Sequence, residues 1–337
     1  MDLTVCVCVR DGATYVDRCL QALVSETAPF ATPIVVVDHA SRDRTPELLE
    51  GWVGAHPDRL RVLRFAGEGL GAARDFAWRQ SRTAWVAFVD IDCAVQPGWA
   101  RAAYDAIGIH GPDACRGAFG GTNRVAQDGR LLFRACSVLL STYVGGHDSI
   151  LNRTIRERRQ ISHCPTLNVV YRRTALEKIG GFDAAYTRVS EDVDVSRRLL
   201  AKGYVLWADP GLVVDHVARP TLLSWLRNVF LYGRGRSFHL KRHPEDLHLK
   251  FLAPAAVVLA YFAAALWDLL AGGPMLIATL AGAHLACIAA LLAGETRRQD
   301  GGLRVWVAAT VVVWLTHLAY GAGFLFELPW RRDKFVR

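Results

Sequence analysis

The first ninety or so residues alternate between short apolar runs and stretches whose apolar positions recur every three or four residues. Runs over 3–9, 34–37, 60–65 and 85–89 are β-branched and apolar at nearly every position, the pattern of buried strands. Between them, 13–25 carries Val16, Leu20 and Leu23 on one helical face, and helices ending near residue 55 and spanning 71–81 follow. Near-continuous apolar strands alternating with helices predict an α/β fold: a mostly parallel, Rossmann-like sheet with helices on both faces. Further on, the pattern predicts a strand over 113–119, an apolar helix over 131–144, a strand over 169–171 and a short helix over 174–179. A helix opened by Ser190 turns Val195, Leu199 and Leu200 inward, and two short strands, 206–208 and 212–214, end at Asp215-His216.

Beyond residue 218 the pattern changes. Residues 220–240 mix Leu222, Leu223, Trp225, Leu226, Val229 and Phe230 with Arg227, Arg234 and Arg236. That mixture fits a helix lying in a membrane interface or one packed on the catalytic region. Three apolar segments follow, 251–271, 274–293 and 303–328, each long enough to cross a bilayer core of about 30 Å. The expected organisation is therefore a catalytic domain over 1–218, a basic linker over 219–250 and a C-terminal α-helical membrane region over 251–337.

Composition sharpens this picture in three ways. The chain is 52% hydrophobic yet 21% charged, as a soluble part joined to a membrane part would be. Its net charge of +8 is uneven: seven Lys/Arg lie between Arg219 and Lys250 against Glu245 and Asp246, beside the first apolar span. Such placement favours anionic membrane lipids as partners and argues against nucleic acid. The eight cysteines are scattered without zinc-site spacing, which suits buried thiols in a reducing compartment. The N-terminus enters a strand-like run, and no signal peptide is read there. A domain that draws on nucleotide-activated substrates is expected on the cytoplasmic side of the cell (inner) membrane. Three full spans would then put Arg331, Arg332, Lys334 and Arg337 outside, against the positive-inside rule, unless one segment, such as that holding Gly321 and Gly323, is re-entrant.

The chemistry gathers at strand ends. The run Ala84–Val89 stops at Asp90-Ile91-Asp92, and alternation along extended backbone puts both carboxylates on one side, able to grip a divalent cation and through it a diphosphate. Open α/β sheets bind ligands at that edge. Asp38 and Asp43 flank another strand-to-helix turn, where a carboxylate can receive a base or ribose, although turn and cap residues look the same. Gly67-Glu68-Gly69-Leu70-Gly71-Ala72 fits a dinucleotide fingerprint, but it follows the third strand and Asp90 is paired with Asp92, so a dehydrogenase is disfavoured. Arg74 is placed to meet a phosphate or base edge. Glu191 and Asp192 open a helix, where acids also serve simple capping; one of them is a candidate general base for a hydroxyl. His216 is either a further metal ligand or a polar strand end.

Taken together, these motifs resemble the family 2 glycosyltransferases of GT-A fold. Asp38-His39-Ala40-Ser41-Arg42-Asp43 is similar to V-D-x-x-S-x-D, with His39 where a small polar or acidic residue is usual. Gly71-Ala72-Ala73-Arg74-Asp75 resembles G-x-A-R-N with Asp75 for Asn, Asp90-Ile91-Asp92 matches D-x-D, and Gly180-Gly181-Phe182-Asp183 with Glu191-Asp192 matches G-G-F-D…E-D. Tyr232-Gly233-Arg234-Gly235-Arg236 near Arg242-His243-Pro244 resembles the membrane-anchored, succinoglycan-type subgroup, while the Q-x-x-R-W of processive synthases is absent. The resemblance implies a nucleotide-diphosphate sugar donor, with Asp38 at the base, Arg74 assisting, Asp90 at ribose and metal, and Asp92 on Mg²⁺ or Mn²⁺. It implies Asp192 as the base of a single inverting displacement, Glu191 positioning loop or acceptor, and a lipid-linked, saccharide-bearing acceptor. A polyprenyl-phosphate sugar synthase and a catalytically inactive nucleotide-binding subunit are the alternatives.

Overall fold

The computed structural model describes residues 2–108, 115–125, 129–142, 150, 155–217, 221–330 and 335. Residues 113–114 of the expected strand, 143–144 of the expected helix, Arg219 and the C-terminal Arg331, Arg332, Lys334 and Arg337 lie outside the described residues. The chain divides into two compact units, residues 1–124 with 149–217, and residues 125–148 with 218–335.

The first unit begins β1 (Leu3–Val9), α1 (Ala13–Thr27), β2 (Ile34–Asp38), α2 (Thr45–Ala55), β3 (Leu60–Arg64), α3 (Leu70–Arg79) and β4 (Trp85–Val89). It continues with β5 (Cys93–Val95), α4 (Trp99–Gly108) and β6 (Arg116–Val125). After α5 (Leu131–Ser141), which belongs to the second unit, come β7 (Arg159–Ile161), β8 (Asn168–Arg172), α6 (Arg173–Ile179), α7 (Glu191–Ala201) and β9 (Val205–His216). All pair into one sheet, ordered β3-β2-β1-β4-β8-β6-β9-β5 with β7 on β9.

The α/β class with helices on both faces holds, but "mostly parallel" describes only half of the sheet. β3, β2, β1 and β4 run parallel, joined by helical crossovers. β4 is followed by a tight turn into β5 instead of a crossover helix, and β8 then enters antiparallel to β4. The β6–β8, β5–β9 and β7–β9 pairs are antiparallel too. The two short strands expected over 206–214 are one twelve-residue strand. β7 pairs with Leu206–Ala208 and β5 with Val214–His216, so Pro210 falls between those ladders and takes no ladder donor from either.

Alternation along β1 builds two cores. Leu3, Val5, Val7 and Val9 pack with Val16 and Leu20 of α1 and Trp99 and Ala103 of α4. Cys6, with Val86 and Phe88 of β4, faces Ala77 and Trp78 of α3, Leu176 of α6 and Val195 and Leu199 of α7. Asn168 ties the sheet's middle together from a fully buried position: it accepts from Trp99 Nε1 at 2.9 Å and donates to the Leu212 carbonyl at 3.0 Å. All eight cysteines are free thiols.

The second unit packs α5 with α8 (Leu222–Arg242), α9 (Leu249–Ala271), α10 (Met275–Arg298) and α11 (Leu303–Glu327). A Thr221–Ser224 capping box starts α8. Its apolar face is committed to α11. A Cβ on Gly233 would lie 2.0 Å from the Tyr320 carbonyl, and one on Gly323 would lie 2.0 Å from that of Phe230, so small residues set the crossing. Arg234 and Lys241 of α8 both reach Glu327, which is fully buried, at 2.8 and 3.4 Å. α9, α10 and α11 are each long and apolar enough to cross a membrane. Their outer surfaces expose Phe262, Trp267, Leu270 and Leu291.

Candidate active site

The site lies at the C-terminal ends of β1, β2 and β4, where the strand order reverses direction about β1. Asp38 ends β2, and its Oδ1 accepts from the Ser41 amide at 3.0 Å, closing a tight turn. Asp43 is engaged at both ends of that loop: it accepts from the Ala13 amide of α1 and the Thr45 amide of α2, each at 3.0 Å. These bonds hold its carboxyl below the usual range, the Thr45 hydroxyl contributing most. His39 fills the space beside Phe65 and bonds the Gly67 carbonyl at 2.8 Å. Among the described residues five non-glycine positions have positive φ, and three of them, Asp11, Ala40 and Ser190, sit in loops around this edge. Backbone held in such conformations concentrates at functional sites.

Arg74 is the centre of the arrangement. α3 can present it because the helix start docks on the segment after the Gly180-Gly181 turn: the amides of Leu70 and Gly71 donate to the Thr187 and Tyr186 carbonyls. A Cβ on Gly71 would meet the Asp183 carbonyl at 2.4 Å, so only glycine allows this approach. Asp75 completes the junction by accepting from the Phe182 amide at 3.0 Å and from Trp78 Nε1 at 2.8 Å. Arg74 is almost fully buried; its Nη2 meets Asp90 Oδ1 at 2.6 Å and its Nη1 donates to Glu191 Oε1. One planar guanidinium thus joins the carboxylate at the end of β4 to the one that opens α7. Glu191 Oε2 is buried and finds no partner among the described residues.

Asp92 has partners of its own. β5, too short to be read from the sequence, pairs with the end of β9 with Cys93 opposite His216. That pairing brings His216 Nε2 to 3.3 Å from Asp92 Oδ2. Asp92, Cys93 and His216 offer three potential ligand atoms within 4.8 Å of one another. Burial, with Asp92 and Asp90 nearby, pushes the Cys93 thiol well up, and the other two donors are a carboxylate oxygen and an imidazole nitrogen. Such a pair suits Mg²⁺ or Mn²⁺ whose other positions are filled by water and phosphate oxygens. Asp215, next along β9, turns to Arg124 at 3.1 Å.

Asp192 sits in the first turn of α7. Ser190 before it has φ 69° and makes no side-chain cap bond. Asp192 Oδ1 accepts from the Val193 amide at 2.8 Å, and Oδ2 faces His163 Nε2 at 3.2 Å. Burial works against its ionisation, but His163, Arg74 and the Val193 amide outweigh it and hold the carboxyl at about 2. His163 is the residue that sequence reading missed. It lies in the turn between β7 and β8, in no recognisable motif.

A switch-point sheet with paired carboxylates, an Arg-bridged acidic helix start and a candidate cation site is the layout of a nucleotide-sugar transferase. The profile of the family "Glycosyl transferase family 2" matches residues 4–180. The chain belongs to that family and has the GT-A fold. It is 26% identical over 334 residues to a pre-mycofactocin glycosyltransferase of Mycobacterium tuberculosis, covering 94% of this chain but 63% of the relative. It is 28% identical over 164 residues to the succinoglycan biosynthesis protein ExoA of Rhizobium meliloti, covering 46% and 44% of the two chains. Among solved structures, a mannosyltransferase from Pyrobaculum calidifontis in complex with GDP-Man and Mn²⁺ superposes with a TM-score of 0.57 at 18% identity, covering 93% of this chain and 85% of that one.

Proposed function

We propose that the protein is a metal-dependent, inverting glycosyltransferase that moves a sugar from a nucleoside-diphosphate sugar to a polyprenyl-linked saccharide. It would work at the cytoplasmic face of the cell membrane, anchored by α9, α10 and α11. The observation that carries this reading is Arg74, whose single guanidinium holds both Asp90, on the donor side, and Glu191, the immediate neighbour of Asp192. Donor and acceptor chemistry then share one rigid junction. Asp38 receives the base, with Asp43 holding the loop that shapes that pocket, and Asp90 reaches the ribose while Arg74 fixes its orientation. Asp92 and His216 would hold the cation, with Asp90 as a further candidate ligand. When bound, Mg²⁺ or Mn²⁺ neutralises charge on the departing nucleoside diphosphate.

Asp192 removes the proton from the acceptor hydroxyl as that oxygen bonds to the anomeric carbon and the bond to the diphosphate breaks. One displacement needs one base, so the anomeric configuration inverts and no second catalytic carboxylate is required. Glu191, held by Arg74, positions the loop or the acceptor beside Asp192. The apolar helices, the basic segment beside them and the likeness to a succinoglycan biosynthesis protein support a membrane-lipid setting.

The test is transfer by the full chain in nanodiscs, using a panel of nucleotide sugars with membrane lipid extract and mass analysis of products. The expected result is a lipid-linked saccharide extended by one sugar, lost when chelator is added. Robust product on polyprenyl phosphate alone would replace this acceptor with the lipid phosphate itself. Activity untouched by chelator would remove the metal from the scheme.

A further inference from the structure

We infer that His163 is the positioning residue and proton outlet for Asp192, so that the two side chains work as a dyad. This rests on Asp192 being the base. Asp192 Oδ1 is tied to its own helix by the Val193 amide, which leaves Oδ2 as the oxygen free to take a proton, and Oδ2 is the atom that faces His163 Nε2 at 3.2 Å. His163 Nε2 is itself buried and, despite this proximity, has no aligned hydrogen bond among the described residues. Both side chains keep some exposure, 26% and 22%, so the pair has a route to solvent although its contacting nitrogen is covered.

The anchoring is firm on each side. His163 is followed by Cys164, whose amide donates to Ser196 Oγ of α7 at 3.2 Å, one turn beyond Asp192. The turn carrying the imidazole and the helix carrying the carboxylate are therefore stitched together. Asp192 is faced by His163 and Cys164 from this turn, by Arg74 from α3 and by Tyr171 from β8, with Glu191 and Asp194 beside it on α7. Burial pushes Cys164 and Tyr171 strongly up, Arg74 directs its two terminal nitrogens to Asp90 and Glu191, and Arg198 occupies Asp194. His163 is left as the imidazole that faces the free oxygen of Asp192.

The proton balance is simple. The acceptor hydroxyl gives its proton to Asp192 Oδ2 as the glycosidic bond forms. The His163 imidazolium beside it, no longer paired with a carboxylate, releases its own proton to water and then takes the proton from Asp192, which restores the starting pair before the next turnover. No electron or other co-reactant is needed.

The experiment compares wild type, His163→Gln, His163→Ala and Asp192→Asn as full chains in nanodiscs, reading kcat, KM for donor and acceptor, and the pH profile of kcat. For His163→Gln we expect kcat to fall about 10- to 100-fold with donor KM within about twofold, the scale seen when a partner orienting a key ligand is removed. The acid limb of the profile should move to higher pH, because the cation that keeps Asp192 ionised is gone, and imidazole added to His163→Ala should restore part of the rate. A kcat within twofold of wild type, an unmoved acid limb or no response to imidazole overturns the dyad. Full activity in Asp192→Asn is a different failure: it overturns the assignment of the base and not only its partner.

Discussion

Replacing Arg74 with Ala tests the junction on which the site is built. The guanidinium is about 5% exposed and Glu191 about 4%, whereas Asp90 is about 32% exposed. Losing the arginine leaves Glu191 buried without its counter-charge, while Asp90 can turn to water. Removing one partner of a buried pair costs about 3–5 kcal/mol. Against a total stability of roughly 5–15 kcal/mol, that is a large share. For a unit of this size, each kcal/mol shifts the melting temperature by about 2–4 °C, so Arg74→Ala should melt roughly 6–20 °C lower. The assay is thermal unfolding of the full chain in nanodiscs, with Glu191→Gln and the double variant alongside. The double variant should be less destabilised than the sum of the singles by at least about 1 kcal/mol, because Gln carries no charge to strand. Additive losses, or a melting temperature for Arg74→Ala within about 2 °C of wild type, would refute the reasoning.

Three further outcomes rest on the same geometry. Gly71→Ala forces a methyl to 2.4 Å from the Asp183 carbonyl, so it should displace the start of α3 and cut transfer at least about 10-fold, with a lower melting temperature on the same scan. His216→Ala should weaken Mn²⁺ binding in electron paramagnetic resonance titrations by about 10-fold or more, and unchanged affinity would remove His216 from the cation site. The folded-state value of about 2 for Asp192 lies below that of an unfolded aspartate, so its stabilising contribution is present above about pH 4 and is lost as pH falls towards 2. Acid titration of unfolding should therefore show a steeper decline for wild type than for Asp192→Asn over that window; parallel curves would contradict it.

Much of this site is legible in the sequence because its parts end long, periodic elements. The apolar run to Val89 places Asp90, the β-branched run to Val37 places Asp38, and the helix after the glycines places Arg74. The missing parts depend on pairings that leave no periodic trace. β5 is three residues long, yet it carries His216 to Asp92. The antiparallel half of the sheet is set by the turn after β4, which stands in place of a crossover helix and which apolar pattern alone does not distinguish. Ser190 reads as a helix cap and instead adopts a left-handed conformation without capping. His163 meets Asp192 across 29 positions of sequence through an irregular turn. The amphipathic pattern of α8 fits a membrane-interface helix or one packed on the catalytic region, and it carries no trace of the close crossing with α11 that Gly233 and Gly323 permit.

A single displacement with Asp192 as its only base is the core of the proposed mechanism. The anomeric configuration of the transferred sugar tests it without intermediaries, read by nuclear magnetic resonance from the one-bond C1–H1 coupling of product made by the full chain from an α-linked donor. Inversion gives a β-linked product; an α-linked product would contradict the mechanism.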